Sequence, residues 1–205
     1  MAKLGLPLKN LDLRRWPDGH LMQGFGESCA LYTEAFLKMG SPSRCHNGLD
    51  LVTYENDECI AVCDGTILKA DFGETTHGYG VWLLSDPEGE RTWLFAYFHL
   101  NALAVKTGDR IIKGQVLGWE GNTGFIVSGN TPYWGNAPAG KGVHLHFGVY
   151  PFVNGQKEFP NNNENGAVDP VPLLRPDISE ALSAIDQAKQ LIAKVIAFLK
   201  GRKIS

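Results

Sequence analysis

Val143-His144-Leu145-His146-Phe147-Gly148-Val149 alternates apolar with polar or small residues at a period of two, the pattern of a β-strand lying on a core. In such a strand Val143, Leu145 and Phe147 pack to one side. Both imidazoles project from the other, ~7 Å apart at Cα. Outward from this stretch, short apolar runs predict further strands near 49–53, 58–63, 65–71, 80–85, 91–98 and 115–119, beside the one at 144–150. Turn signals stand at Asp64-Gly65, Asp86-Pro87-Glu88-Gly89 and Thr107-Gly108-Asp109. Short strands at close spacing point to an antiparallel all-β domain. The 24 glycines and 11 prolines among 205 residues suit its many tight turns.

Three stretches stand apart from that pattern. Residues 1–45 carry little regular signal beyond Gln23-Gly24-Phe25-Gly26, which reads as a strand or turn on the way to His46. Residues 121–142 are rich in Gly, Asn, Pro and aromatics and run directly into His144; a long loop of that kind can wall a substrate groove. The asparagine-rich stretch 154–166 reads as a second irregular loop. Pro176 then marks a boundary between a domain over 1–175 and a helix over 176–205. Asp177 and Glu180 resemble a capping box, and Ile178, Ile185, Ile192 and Leu199 fall seven apart as an apolar seam. Acidic residues lie early in this segment and basic ones late, as the helix dipole favours. The helix can dock on its own domain, self-associate through 178–199, or meet a membrane with its basic end.

With 43% hydrophobic and 20% charged residues the chain is globular in composition. A net charge of −3 exerts no overall pull on nucleic acid, so no nucleic-acid partner is expected. The start, Met1-Ala2-Lys3-Leu4-Gly5-Leu6-Pro7, lacks the apolar segment and cleavage site of a secretory signal, and no run of about 18 apolar residues marks a membrane span. The expectation is a soluble product without a signal peptide. Action outside the cell would need release by lysis or a holin, or a leader that this sequence does not include. Of the cysteines, Cys59 and Cys63 sit four apart in a predicted strand, ~13 Å, too far for a disulfide. Free and mostly buried thiols are expected at Cys29, Cys45, Cys59 and Cys63; a Cys29–Cys45 bridge has nothing to support it.

The histidines carry the chemistry. His46-Asn47-Gly48-Leu49-Asp50 places a histidine and a carboxylate four apart, and Asn47-Gly48 is a turn signal that lets Asp50 arrive on the following strand. His144 and His146 share a strand face. Tyr97-Phe98-His99-Leu100 ends an apolar run with another imidazole. Histidines with a carboxylate suit zinc with one coordination position left open for water, which predicts a metal-dependent hydrolase if the segments meet. One member of the His144/His146 pair can bind the ion while its neighbour reaches the attacking water; spacing does not say which. His20 and His77 read as structural histidines.

Together these motifs resemble the lysostaphin/LytM-type zinc metallopeptidases, whose signature is HxxxD, an aromatic-x-His-Leu segment, then HxH. The likeness continues, in order, through Asp64-Gly65-Thr66-Ile67, Gly78-Tyr79-Gly80, Val105-Lys106-Thr107-Gly108-Asp109, Lys113-Gly114-Gln115-Val116-Leu117-Gly118, Gly121-Asn122-Thr123-Gly124 and Val168-Asp169-Pro170, covering about residues 20–174. It implies a mainly β fold, an antiparallel sheet or sandwich core with an open groove, long loops and a C-terminal α-helix beyond it. It also implies one Zn2+ per chain on His46, Asp50 and His146, with His99 and His144 as catalytic histidines. Tyr97, Tyr133, Trp134 and Asn122 are expected to contact substrate. The implied activity is endopeptidase cleavage of bacterial peptidoglycan stem or cross-link peptides at the cell wall, as in a phage endolysin. The alternative is a catalytically inactive scaffold or activator of another wall hydrolase. Departures are the insert-like segment Cys29–Arg44, the length of 125–142, and the helix standing where a wall-binding module is not apparent.

Overall fold

In chain order the strands are β1 (Leu21–Gln23), β2 (Leu49–Leu51), β3 (Glu58–Ile60), β4 (Gly65–Gly73), β5 (Gly78–Ser85), β6 (Arg91–Leu100), β7 (Ala102–Leu103), β8 (Arg110–Ile111), β9 (Val116–Trp119), β10 (Ile126–Ser128), β11 (Thr131–Tyr133), β12 (Leu145–Val153) and β13 (Gln156–Lys157). A short helix, α1, covers Val171–Leu174. The structure is a computed structural model and describes residues 4–12, 20–27, 45–53, 56–73, 76–153, 156–157 and 165–174. The main sheet runs β1-β2-β12-β6-β5-β4-β8, with β13 paired to β12. A second sheet runs β3-β9-β7, and β10-β11 form a hairpin. Every pairing is antiparallel.

The two neighbouring strands β12 and β6 show why the chain folds this way. Leu145, Phe147 and Val149 on β12 and Phe95 and Tyr97 on β6 are fully buried and form the core between the sheets. Phe95 stacks on Phe147 with ring centroids 6.0 Å apart. Burying each such side chain stabilises the fold by about 1.5–3 kcal/mol. The Tyr97 hydroxyl donates to the Ile60 carbonyl at 3.2 Å and accepts from the Val62 amide at 3.1 Å, fastening the small sheet to the large one. The other face of β6 is also covered: Leu94 and Ala96 join Tyr150 and Ala167 in a second cluster flanked by Phe25, Trp82 and Phe98. Burial on both faces explains why 93–98 reads as an unbroken apolar run instead of an alternation.

The mainly β architecture and all seven predicted strands are present. The additional strands are two or three residues long, too short to leave a periodic signal. The stretch 121–142 is not irregular throughout: it contains the β10–β11 hairpin, turned at Gly129 with φ +60°. Gly129-Asn130 is itself a two-residue hairpin signal. Cys45, Cys59 and Cys63 are free thiols, but only Cys59 is buried; the other two are partly exposed. Cys29, the segment to Arg44 and the predicted helix 178–199 lie outside the described residues. The chain divides into two compact units, Met1–Pro170 and Val171–Ser205, and α1 is the described part of the second. No helix among the described residues is long and apolar enough to cross a membrane.

Candidate metal centre and active site

Strand register brings the first two site residues together. Asp50 on β2 lies directly opposite His146 on β12, and cross-strand partners share a face. Leu49 and Leu51, on either side of Asp50, are buried in the core. His46 precedes β2 and is pinned by backbone: its amide donates to Glu27 O at 2.9 Å, and its carbonyl accepts from Gly26 at 2.8 Å. Its ring is fixed as well, with Nδ1 donating to Gly24 O at 2.8 Å. The result is a triangle of ligand atoms, His46 Nε2, His146 Nδ1 and Asp50 Oδ1, each 3.0 Å from the other two. Gly48 makes room for it. A Cβ there would meet Phe147 O at 2.6 Å and His146 Nε2 at 2.8 Å, so Asn47-Gly48 serves close approach of the imidazole and not a left-handed turn.

His144 and His99 flank the triangle. His144 donates from Nδ1 to Gly142 O at 2.7 Å, which leaves Nε2 buried and without a hydrogen-bond partner, 3.7 Å from Asp50 Oδ1. His99 donates from Nδ1 to Thr123 O at 2.8 Å. Its ring lies 4.8 Å from that of His144 and 6.1 Å from that of His146, centroid to centroid. Regular alternation would turn His99 to the face of Tyr97, into the core. Instead, Phe98 and His99 stand opposite the single residue Gly80 in a bulge, and His99 takes φ +67°. The bulge delivers its ring to the other histidines.

The electrostatics of the cluster call for positive charge. Burial opposes a charged His46, but the Asp50 carboxylate overcomes it and raises the pKa above the ordinary histidine value. Burial likewise pushes Asp50 up, yet His46 and His144, with hydrogen bonds from His146 and His46, hold it well below the usual carboxylate range. His99 is held well below the ordinary value by burial and then by His144 and His146; His146 is lowered mainly by burial. Three acceptor-type atoms converge here, and with neutral imidazoles at most one proton, on His146, lies among them. A cation satisfies all three. Ligand atoms around a tetrahedral zinc with bonds of ~2.1 Å stand ~3.4 Å apart, so edges of 3.0 Å are slightly tight and of the right size. Two imidazole nitrogens and one carboxylate form a donor set suited to zinc rather than to calcium or magnesium. His46, Asp50 and His146 therefore fit a metal ion.

The residues expected to touch substrate divide. Tyr97 is fully buried, its hydroxyl committed to Ile60 and Val62, so it is a core residue. Asn122 is also buried; its amide donates to Pro138 O and Lys141 O, both at 3.0 Å, and closes the base of the 122–142 loop. Tyr97 has no exposed surface to offer a substrate. Trp134 is exposed and packs on Phe125 at 4.3 Å, and Tyr133 is partly exposed beside it. A groove of about 510 Å3, lined by Met22, Val52, Val127 and Val143 with Gly140 and Gly142, abuts His144 through the Gly142 carbonyl. His20 donates from Nδ1 to Val52 O at 3.0 Å, and His77 meets Asp71 at 3.3 Å. Sequence reasoning missed the carbonyls of Gly24, Thr123 and Gly142, because any residue type supplies a carbonyl.

Comparison with known proteins points to one family. The profile described as Peptidase family M23 matches residues 44–163. Glycyl-glycine endopeptidase ALE-1 of Staphylococcus capitis is 31% identical over 130 residues, 63% of this chain and 29% of that protein. Peptidoglycan DD-endopeptidase ShyC of Vibrio cholerae is 28% identical over 121 residues, 59% of this chain and 23% of that protein. The chain thus spans less than a third of the length of these two curated relatives. The catalytic domain of the antimicrobial peptidase lysostaphin from Staphylococcus simulans superposes with a TM-score of 0.50 at 25% identity, over 75% of this chain and 90% of that one. With the family profile spanning more than half of its residues and the HxxxD and HxH motifs meeting in one cluster, the chain belongs to peptidase family M23.

Proposed function

We propose that the chain is a zinc-dependent endopeptidase that hydrolyses peptide bonds in bacterial peptidoglycan stem or cross-link peptides, acting at the cell wall. The observation that carries this reading is the juxtaposition of the His46–Asp50–His146 triangle with a buried, unpartnered His144 Nε2. Glycyl-glycine and peptidoglycan endopeptidases among the relatives support the substrate class. In this reading His46, Asp50 and His146 hold one zinc ion per chain. When bound, zinc acidifies water and polarises a scissile carbonyl.

The remaining work falls to the two flanking histidines. With Nδ1–H committed to backbone carbonyls, both present a basic Nε2. His144 Nε2, nearest Asp50, takes the proton from water and returns it to the leaving amine. His99, kept neutral by burial and its neighbours, accepts a hydrogen bond from the water at Nε2 and so orients it. The exposed Trp134 and partly exposed Tyr133 line the approach of the peptide. An inactive scaffold is disfavoured because all five positions are filled by functional side chains. Purified protein should carry close to one zinc per chain, and His46→Ala or chelation should abolish release of peptides from purified cell wall while the β fold persists by circular dichroism. Full hydrolysis by the zinc-free protein would refute the reading.

A further inference from the structure

We infer that the Thr123 side chain is the positioning residue that holds His99 in its working orientation and tautomer. The inference rests on the reading of His99 as a site histidine and goes beyond it, since Thr123 touches neither the ligand triangle nor a substrate.

Three observations converge on this one residue. Thr123 is buried at 4% exposure, and its hydroxyl is committed twice: it donates to Leu100 O at 2.7 Å and accepts from the Tyr79 amide at 2.9 Å. Those partners are the cross-strand pair at one edge of the bulge, Leu100 just after His99 and Tyr79 on the facing strand β5. The Thr123 carbonyl accepts the His99 Nδ1–H at 2.8 Å. Thr123 therefore grips the backbone at the edge of the bulge, immediately after the left-handed residue, and the imidazole itself.

The surrounding glycines show that the grip depends on contact at backbone distance. A Cβ on Gly78 would meet Thr123 Oγ1 at 2.2 Å, and a Cβ on Gly124 would meet the Gly78 amide nitrogen at 2.3 Å. Both glycines hold positive φ, +63° and +84°. The Gly78-Tyr79-Gly80 and Gly121-Asn122-Thr123-Gly124 stretches, otherwise without an assigned task, become the two halves of one clamp on the His99 bulge. A non-glycine residue at positive φ persists only where its surroundings over-determine it. The Thr123 hydroxyl does so here.

The test uses the full-length zinc-loaded protein. Thr123→Val keeps the shape of the side chain and removes both hydroxyl interactions; Thr123→Ser keeps the hydroxyl. The expected result for Thr123→Val is a ~10–100-fold fall in kcat, as for loss of an outer-shell partner, with KM and zinc content unchanged. Long-range 1H–15N correlation spectra should show His99 as a single Nδ1–H tautomer in the parent and a mixture in Thr123→Val. Thr123→Ser should restore both the rate and the single tautomer. Unchanged kcat and tautomer in Thr123→Val would overturn the inference. So would an Nε2–H tautomer of His99 in the parent protein, a measurement that stands even if Thr123→Val does not fold. Absence of hydrolase activity in the parent would strike the functional reading, while the tautomer comparison would still judge the role of Thr123.

Discussion

Replacing Gly48 by alanine adds one methyl group and should loosen the metal centre from a position that bears no ligand. The new Cβ would lie 2.6 Å from Phe147 O, 2.8 Å from His146 Nε2 and 2.9 Å from His146 Cε1, all inside the 3.0 Å that real Cβ atoms essentially never breach. Reaching ordinary contact requires opening these gaps by ~0.5–0.8 Å, a mismatch of the size that overpacking studies cost at about 1–3 kcal/mol. The Phe147 carbonyl belongs to β12, which is paired on both sides, so the imidazole gives way first. A site must be held within about 0.5 Å of its productive geometry, and His146 Nδ1 is a vertex of the 3.0 Å triangle. The expected loss of zinc affinity is ~10–100-fold, as for disturbed support of a ligating histidine. Unfolding of the metal-free protein should shift down by roughly 2–4 °C per kcal/mol lost. Competition with a chromophoric chelator near neutral pH measures the first quantity and a thermal scan the second. Parent-like zinc affinity together with an unchanged Tm would refute the steric argument.

Metal-free protein should lose stability as the pH is lowered below about 6.5. His99 and His146 have depressed pKa values when folded, so below about 6.5 the unfolded chain binds protons that the folded one does not, and stability falls toward the folded values. His46, whose pKa is raised, acts oppositely and adds stability as the pH drops through its folded value toward about 6.5. Urea unfolding across this range should therefore show a maximum near pH ~6.5; a steady rise in stability into the acid range would contradict these environments. Tyr97→Phe should destabilise the fold by about 1–3 kcal/mol, because the buried Val62 amide loses its acceptor, while KM for wall peptides stays unchanged. A raised KM with parental stability would return Tyr97 to the substrate groove.

Much of the site was legible because its chemistry and its strands coincide. The HxH spacing on an alternating strand and an HxxxD motif leading into another strand required only that β2 and β12 pair in register, and they do, Asp50 opposite His146. What was not legible was direction at the bulge. Tyr97 and His99 are two apart and in a regular strand would share a face, which makes both natural candidates for the groove. The bulge opposite Gly80 breaks that relation, sending His99 to the site and leaving Tyr97 in the core. Asn122 has a structural task that the sequence does not reveal. Its neighbourhood is polar and glycine-rich like a binding loop, but its amide is consumed by the carbonyls of Pro138 and Lys141. Sequence marks such residues as polar, whereas only the fold decides whether their bonds turn inward.

The left-handed backbone at His99 also bears on how the site can be probed. Alanine at that position removes an imidazole and forces a side chain with no local compensation into φ +67°, so a drop in rate would mix lost chemistry with backbone relaxation. Glycine removes the ring without the penalty. Asparagine tolerates the conformation and keeps a polar group. Comparing these two replacements, with alanine set aside, would separate what the ring does from what the bend does. The same constraint narrows evolutionary drift at residue 99 to a handful of side chains, whichever peptide the groove comes to accept.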